Sequence, residues 1–138
     1  MISRHIIVIA SVWAGLILST SLFAQNETPT SCSEISTSQQ VDECARNNYQ
    51  AADQLLNDVY KRLMQQIDRD YRSNSKLGDE FRSNIKKAQQ AWLKYRDANC
   101  AVEAFEVEVG TSAHTTTVNV CLARMSRERT QELANISK

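Results

Sequence analysis

Four cysteines, Cys32, Cys44, Cys100 and Cys121, and a Thr-rich segment around His114 are the residues of this 138-residue chain best equipped for chemistry. A thiol can act as nucleophile, redox centre, metal ligand or crosslink. Metal sites and redox pairs favour close spacing such as C-x-x-C, and these cysteines stand much further apart. The crosslinking role is left. His114 has Ser112 beside it, but no acidic residue at a recognisable spacing completes a nucleophilic triad. Glycoside cleavage needs two facing carboxyl groups, and no pair stands out among the sixteen Asp and Glu. No catalytic residue, metal ligand or cofactor is assigned, and the chain reads as a non-enzymatic protein.

The chemistry of the cysteines depends on where the chain goes. Its opening, MISRHIIVIASVWAGLILSTSLFAQ, has a basic residue at Arg4, an apolar run from Ile6 to Leu18 and small residues up to Ala24. This is the pattern of a secretory signal peptide, residues 1–24, with cleavage after Ala24. The apolar run is shorter than the roughly 20 residues a spanning helix needs, so no membrane segment is expected after cleavage. Cys32 follows Thr-Pro-Thr-Ser and has no lipidation signature. All four cysteines lie beyond the cut, and an even number in an oxidising compartment predicts two disulfides in a periplasmic or secreted protein. Lys plus Arg and Asp plus Glu number sixteen each, which argues against a nucleic-acid binder.

Three Gly and one Pro in the whole sequence leave few turns and long helices. Residues 25–37 are polar, hold Pro29 and read as an extended tether. Thr37 and Gln40 form a capping box at the start of the helical domain, 38–138. The first helix carries Val41, Cys44, Ala45, Tyr49, Ala52, Leu55, Leu56, Val59, Leu63 and Ile67 at helical spacing to about Tyr71, with Tyr60 widening its apolar face. Leu77-Gly78 reads as a turn and Asp79 as N-cap of the second helix. The central stretch is FRSNIKKAQQAWLKYRDANC, whose apolar seam is Phe81, Ile85, Ala88, Trp92 and Tyr95. This helix is expected to run on towards Gly110, with a short strand over 102–109 as the alternative. Thr111 to Thr117 reads as a loop or frayed start. A third helix follows from about Thr116, with Val118, Cys121, Leu122, Met125 and Leu133 as its apolar positions and Arg129 in the seam. The expected fold is an all-α, three-helix antiparallel bundle with two long helices, stapled by two disulfides.

Four cysteines allow three pairings. A chain reversal at Gly110 brings Cys100 and Cys121 level on facing helices, closing a loop of about 20 residues worth about 3 kcal/mol in the chain-entropy view. Cys32 then joins Cys44. The rival pairing is Cys44 with Cys100, which antiparallel first and second helices would bring within about two turns of each other.

Several runs carry a family likeness: CARNNYQAADQLLNDVY from Cys44 to Tyr60, AQQAW ending at Trp92, Tyr95-Arg96-Asp97, Cys100, Gly110-Thr111, Cys121, and RTQEL from Arg129 to Leu133. Together they resemble the LprI-like lysozyme-inhibitor domain over nearly all of Cys32 to Leu133. The resemblance implies a secreted or periplasmic helical module whose partner is a lysozyme or other muramidase. The alternative is an immunity or interaction module that binds another envelope protein or a wall-targeting toxin. Members of the family with a lipid-attachment cysteine differ from this sequence, which lacks one.

An inhibitor of this kind must cover a cleft, and lysozymes of the animal type are strongly basic, so acidic residues would steer the encounter. The densest acidic group is Glu103, Glu106 and Glu108. Arg96 and Asp97, within the family-like motif, are candidates for reaching a target cleft. For Arg96 the structural reading is favoured: stacking on Trp92 and pairing with Asp53 of the first helix. Asp53 and Asn57 share one helix face and the same interhelix role.

Overall fold

A computed structural model describes Cys32 and residues 35–136. The expected signal peptide and most of the tether lie outside the described residues. Three helices follow: α1, Ser38–Asp70, α2, Ser75–Glu103, and α3, Ser112–Ile136. Helix α1 begins as its capping box dictates, with the Thr37 hydroxyl accepting from the Gln40 N–H and the Gln40 amide accepting from the Thr37 N–H.

Three helix boundaries correct the sequence-based expectation. Helix α2 starts at Ser75, not beyond Asp79, because the Asn74 side chain accepts from the Leu77 N–H and serves as N-cap. Leu77 and Gly78 therefore lie in the first helical turn. Gly78 is required there by proximity, since a Cβ at this position would sit 2.8 Å from the Tyr71 Cβ. Helix α3 starts at Ser112, four residues before the expected Thr116. The Thr111 hydroxyl accepts from the His114 N–H at 3.2 Å, which places His114 in a first helical turn rather than a loop. Helix α2 ends at Glu103, short of Gly110, and residues 102–109 form helix end and turns with no strand.

The closest pair is α1 with α3, which run parallel, while α2 lies antiparallel to both and touches each along fewer positions. The side chains explain the difference. Buried positions of α1 include Ala45 and Ala52, and those of α3 include Ala123, Ser126 and Thr130, so these backbones approach closely. The buried positions of α2 include Gln89 and Arg96, with Trp92 packed beside them, and such long side chains hold its axis away. The seam expected on α2 is thus rotated. Phe81, Ile85 and Trp92 pack inward, but Ala88 and Tyr95 are exposed and Gln89 and Arg96 take the interior positions.

The apolar core gathers Leu56, Val59, Leu63, Ile67, Ile85 and Leu133, with Tyr60, Met64 and Trp92 at its edge. A second cluster around Cys100, Cys121 and Met125 closes the end where α1 and α3 begin and α2 finishes. Both disulfides belong to that end. Cys32 joins Cys44 and Cys100 joins Cys121, with Cα separations of 5.8 and 5.5 Å. The rival Cys44–Cys100 pairing is not formed. At the same end Ser112 and Thr116 of α3 donate to the Asp42 carboxylate of α1.

Candidate functional site

Arg96 sits where the three helices meet and is 6% exposed. Its Nη1 donates to Asp53 Oδ1 of α1 at 3.1 Å and to the Ser126 hydroxyl of α3 at 3.2 Å, and its Nε donates to Asp97 Oδ1 at 2.9 Å. The guanidinium carbon lies 5.4 Å from the Trp92 ring centroid and 5.8 Å from that of Tyr49. Burial acts to lower the Arg96 pKa, but the bonds and charges of Asp97 and Asp53 outweigh it and the net shift is upward. Asn57 donates to the other Asp53 oxygen at 3.1 Å, which orients the carboxylate towards α2. Arg129 lies 5.7 Å from the same Trp92 ring and donates from Nε to Gln89 Oε1 at 3.0 Å. These groups satisfy one another across all three helices. Their chemistry is that of a polar clamp, and the guanidinium faces the interior of the bundle.

The turn between α2 and α3 has the opposite character. Its base is the buried Cys100–Cys121 bridge, with Met125 Sδ 3.8 Å from each sulfur. Ala104 is fully buried beneath it and caps α2 by donating to the Cys100 carbonyl at 3.2 Å. The Phe105 N–H bonds the Val102 carbonyl, the Val107 N–H bonds the Ala104 carbonyl, and the Thr111 hydroxyl donates to the Glu108 carbonyl at 2.7 Å. Gly110 completes the reversal at φ 87°, a left-handed conformation that suits glycine. The backbone of this tip is therefore tied down by its own bonds and by the disulfide.

What the tip displays is apolar and acidic. Phe105 is 85% exposed, Val109 82% and Val102 73%. Glu106 and Glu108 are exposed and make no ion pair among the described residues. Glu103 differs from them, since Arg124 Nη2 donates to its Oε1 at 2.5 Å and Asn99 at 2.9 Å. Arg124 is held further by Glu128, and these carboxylates raise its pKa.

The structure thus separates the residues singled out by sequence into two places. Arg96, Asp97, Asp53, Asn57, Trp92 and Arg129 form the clamp, Tyr60 lies along the core edge, and Glu103, Glu106 and Glu108 belong to the tip. Sequence reading missed Tyr49, Gln89 and Ser126 as clamp partners, because a lone Gln or Ser at a seam position looks like a defect in the pattern. It also passed over Phe105, whose alternation with charged neighbours suggested a strand. Among the described residues no group of three His, Cys, Asp or Glu is placed to hold a metal ion, and no helix is long and apolar enough to cross a membrane.

Three comparisons place this architecture among known proteins. The crystal structure of a DUF1311 family protein from Pseudomonas putida KT2440 matches with a TM-score of 0.66 and 32% identity, covering 74% of this chain and 95% of that one. An uncharacterized protein of Rhizobium meliloti (strain 1021) is 36% identical over 96 residues, which span 67% of this chain and 68% of that protein. A family model described as lysozyme inhibitor LprI matches residues 31–133, a range that takes in both disulfides, the clamp and the tip. From just before Cys32 to Leu133, then, this chain belongs to the LprI lysozyme-inhibitor family.

Proposed function

We propose that this protein is an exported inhibitor of lysozyme-type peptidoglycan hydrolases, and that it acts without cofactor by occluding the substrate cleft with the α2–α3 tip. Family membership motivates the target class, and the observation that carries the mechanism is Phe105, 85% exposed on a turn stapled at its base. A solvent-exposed aromatic ring on a fixed backbone loses little entropy on docking and suits an apolar pocket. Glu106 and Glu108 flank it without ion pairs and complement the basic rim of an animal-type lysozyme, which favours rapid encounter at low salt. Arg96 contacts Asp53, Asp97, Ser126, Trp92 and Tyr49, all away from the tip. Its exposure of 6% leaves it little reach towards a partner, so the tip rather than the Arg96-Asp97 motif takes the contact role.

The test is a titration of lysozyme-catalysed cell-wall lysis with native and reduced protein side by side, together with Phe105→Ala and a Glu106→Lys/Glu108→Lys double variant. Native protein is expected to inhibit stoichiometrically. Removing Phe105 should weaken inhibition about tenfold or more, as expected for an anchoring aromatic. The charge reversal should mainly slow association and flatten its salt dependence. Reduction should weaken inhibition by releasing the base of the tip. Absence of inhibition of every lysozyme class at micromolar excess would overturn the target assignment, and an unchanged Phe105→Ala variant would overturn the tip.

A further inference from the structure

Because the inward seam of α2 is rotated relative to its apolar pattern, the helix keeps a second seam that none of the described residues covers. Ala88, Ala91, Tyr95, Ala98, Val102 and Phe105 follow one another at alternating steps of three and four, and all six are exposed. This is the spacing of a helix that packs lengthwise on another helix. The line extends about 26 Å at 1.5 Å per residue, and the turn after α2 carries it through Phe105, whose N–H bonds the Val102 carbonyl. Tyr95 is 60% exposed at its centre, and Val102 and Phe105 are more exposed still.

The seam is complementary to itself. Laid antiparallel on a second copy, one register puts Ala88 opposite Phe105, Ala91 opposite Val102 and Tyr95 opposite Ala98, a small residue against a larger one at every level. Between residues 86 and 106 charge follows this polarity: Lys86, Lys87 and Lys94 lie before the centre of the seam, and Asp97, Glu103 and Glu106 beyond it, the first two of these acids being engaged by Arg96 and Arg124. Reversing the direction of one copy brings the basic part against the acidic part, whereas a parallel arrangement would oppose like charges. A two-fold contact uses the same patch on both partners and closes on itself, which is what this pattern requires. We propose that the outer face of α2 is a self-association surface, and that two copies of this chain pair through it as an antiparallel, two-fold dimer centred between Tyr95 and Ala98.

The mass of the mature, disulfide-intact protein in solution, measured by light scattering and by sedimentation across a concentration series, tests this directly. A monomer–dimer equilibrium is expected. Ala98→Glu, which places a charge at the centre of the contact, should weaken association about tenfold or more. Lys87→Glu and Glu106→Lys should each weaken it about two- to fivefold as rim charges. All three positions are exposed in the protomer, so circular dichroism should show the variants folded. A strictly monomeric protein at about 100 µM, which corresponds to a dissociation constant well above that level, overturns the proposal. So does a dimer indifferent to Ala98→Glu.

Discussion

Arg96 shows how one side chain can occupy an interior position at a tolerable cost. Its guanidinium has lost most of its water, and Asp53, Asp97 and Ser126 return hydrogen bonds while Trp92 and Tyr49 offer ring faces. A buried charge is tolerated when its donors are filled in this way and becomes destabilising when a partner is removed. Replacing Arg96 by Ala strips three helices of a shared partner and leaves Asp53 half-buried without its counter-charge. Asp53 retains some solvent, which moderates the penalty. The expected loss is about 2–4 kcal/mol, read from urea unfolding by the shift of the midpoint at constant m-value. A loss below about 0.5 kcal/mol would show the clamp to be decoration. Lys in the same position is not expected to rescue, since it can neither fork between Asp53 and Asp97 nor stack as a plane on Trp92.

The helices are held at their ends by different devices. At one end Tyr71 packs edge-on against Phe81, with ring centroids 5.9 Å apart, and Gly78 lets the two helices turn tightly. At the other, two disulfides and a polar clip join α1, α2 and α3. The clip is Asp42, whose carboxyl pKa is lowered from 3.8, first by the hydrogen bond from Ser112, then by that from Thr116, with a smaller contribution from Arg46. A depressed folded-state pKa means that the native state holds its proton less tightly than the unfolded chain. The clip therefore contributes its full stability above about pH 4 and loses it as pH falls through that region and below. Asp42→Asn should flatten the acid limb of a stability–pH profile below about pH 4 relative to the parent and lower stability at neutral pH, where the clip is fully formed. An unchanged acid limb would mean that the carboxylate does not join α1 to α3 in solution.

At the scale of the molecule, α1 and α3 form the close parallel pair and α2 is a helix with two faces, one turned into the bundle through Trp92, Gln89 and Arg96 and one turned out. Phe105 lies at the end of the outward face and also on the tip, so self-association and target binding draw on the same ring. The two should compete. Inhibition per protomer is expected to fall as inhibitor concentration enters the range of dimer formation, and Lys87→Glu, which loosens the dimer without touching the tip, should inhibit at least as well per protomer as the parent. Loss of inhibition in a folded Lys87→Glu variant would refute that competition and indicate that the pair of copies is the active unit.

The sequence by itself determined the helical class, the number of helices, the capping box at Thr37, the stacking of Arg96 on Trp92 and the family likeness. Those features rest on local spacing and on residue types with few alternative uses. Which helices lie closest, how far α2 is rotated and where α2 and α3 begin came from the folded molecule alone. Ala, Ser and Thr at buried positions carry no hydrophobic signal, yet their small volume is what draws α1 and α3 together. Gln89 looks like a surface residue until Arg129 of α3 satisfies it. Ala88 and Tyr95 look like core residues until the bundle closes on the neighbouring face. A one-dimensional pattern records which residues can be buried, and the packing of volumes and the pairing of polar groups choose among them.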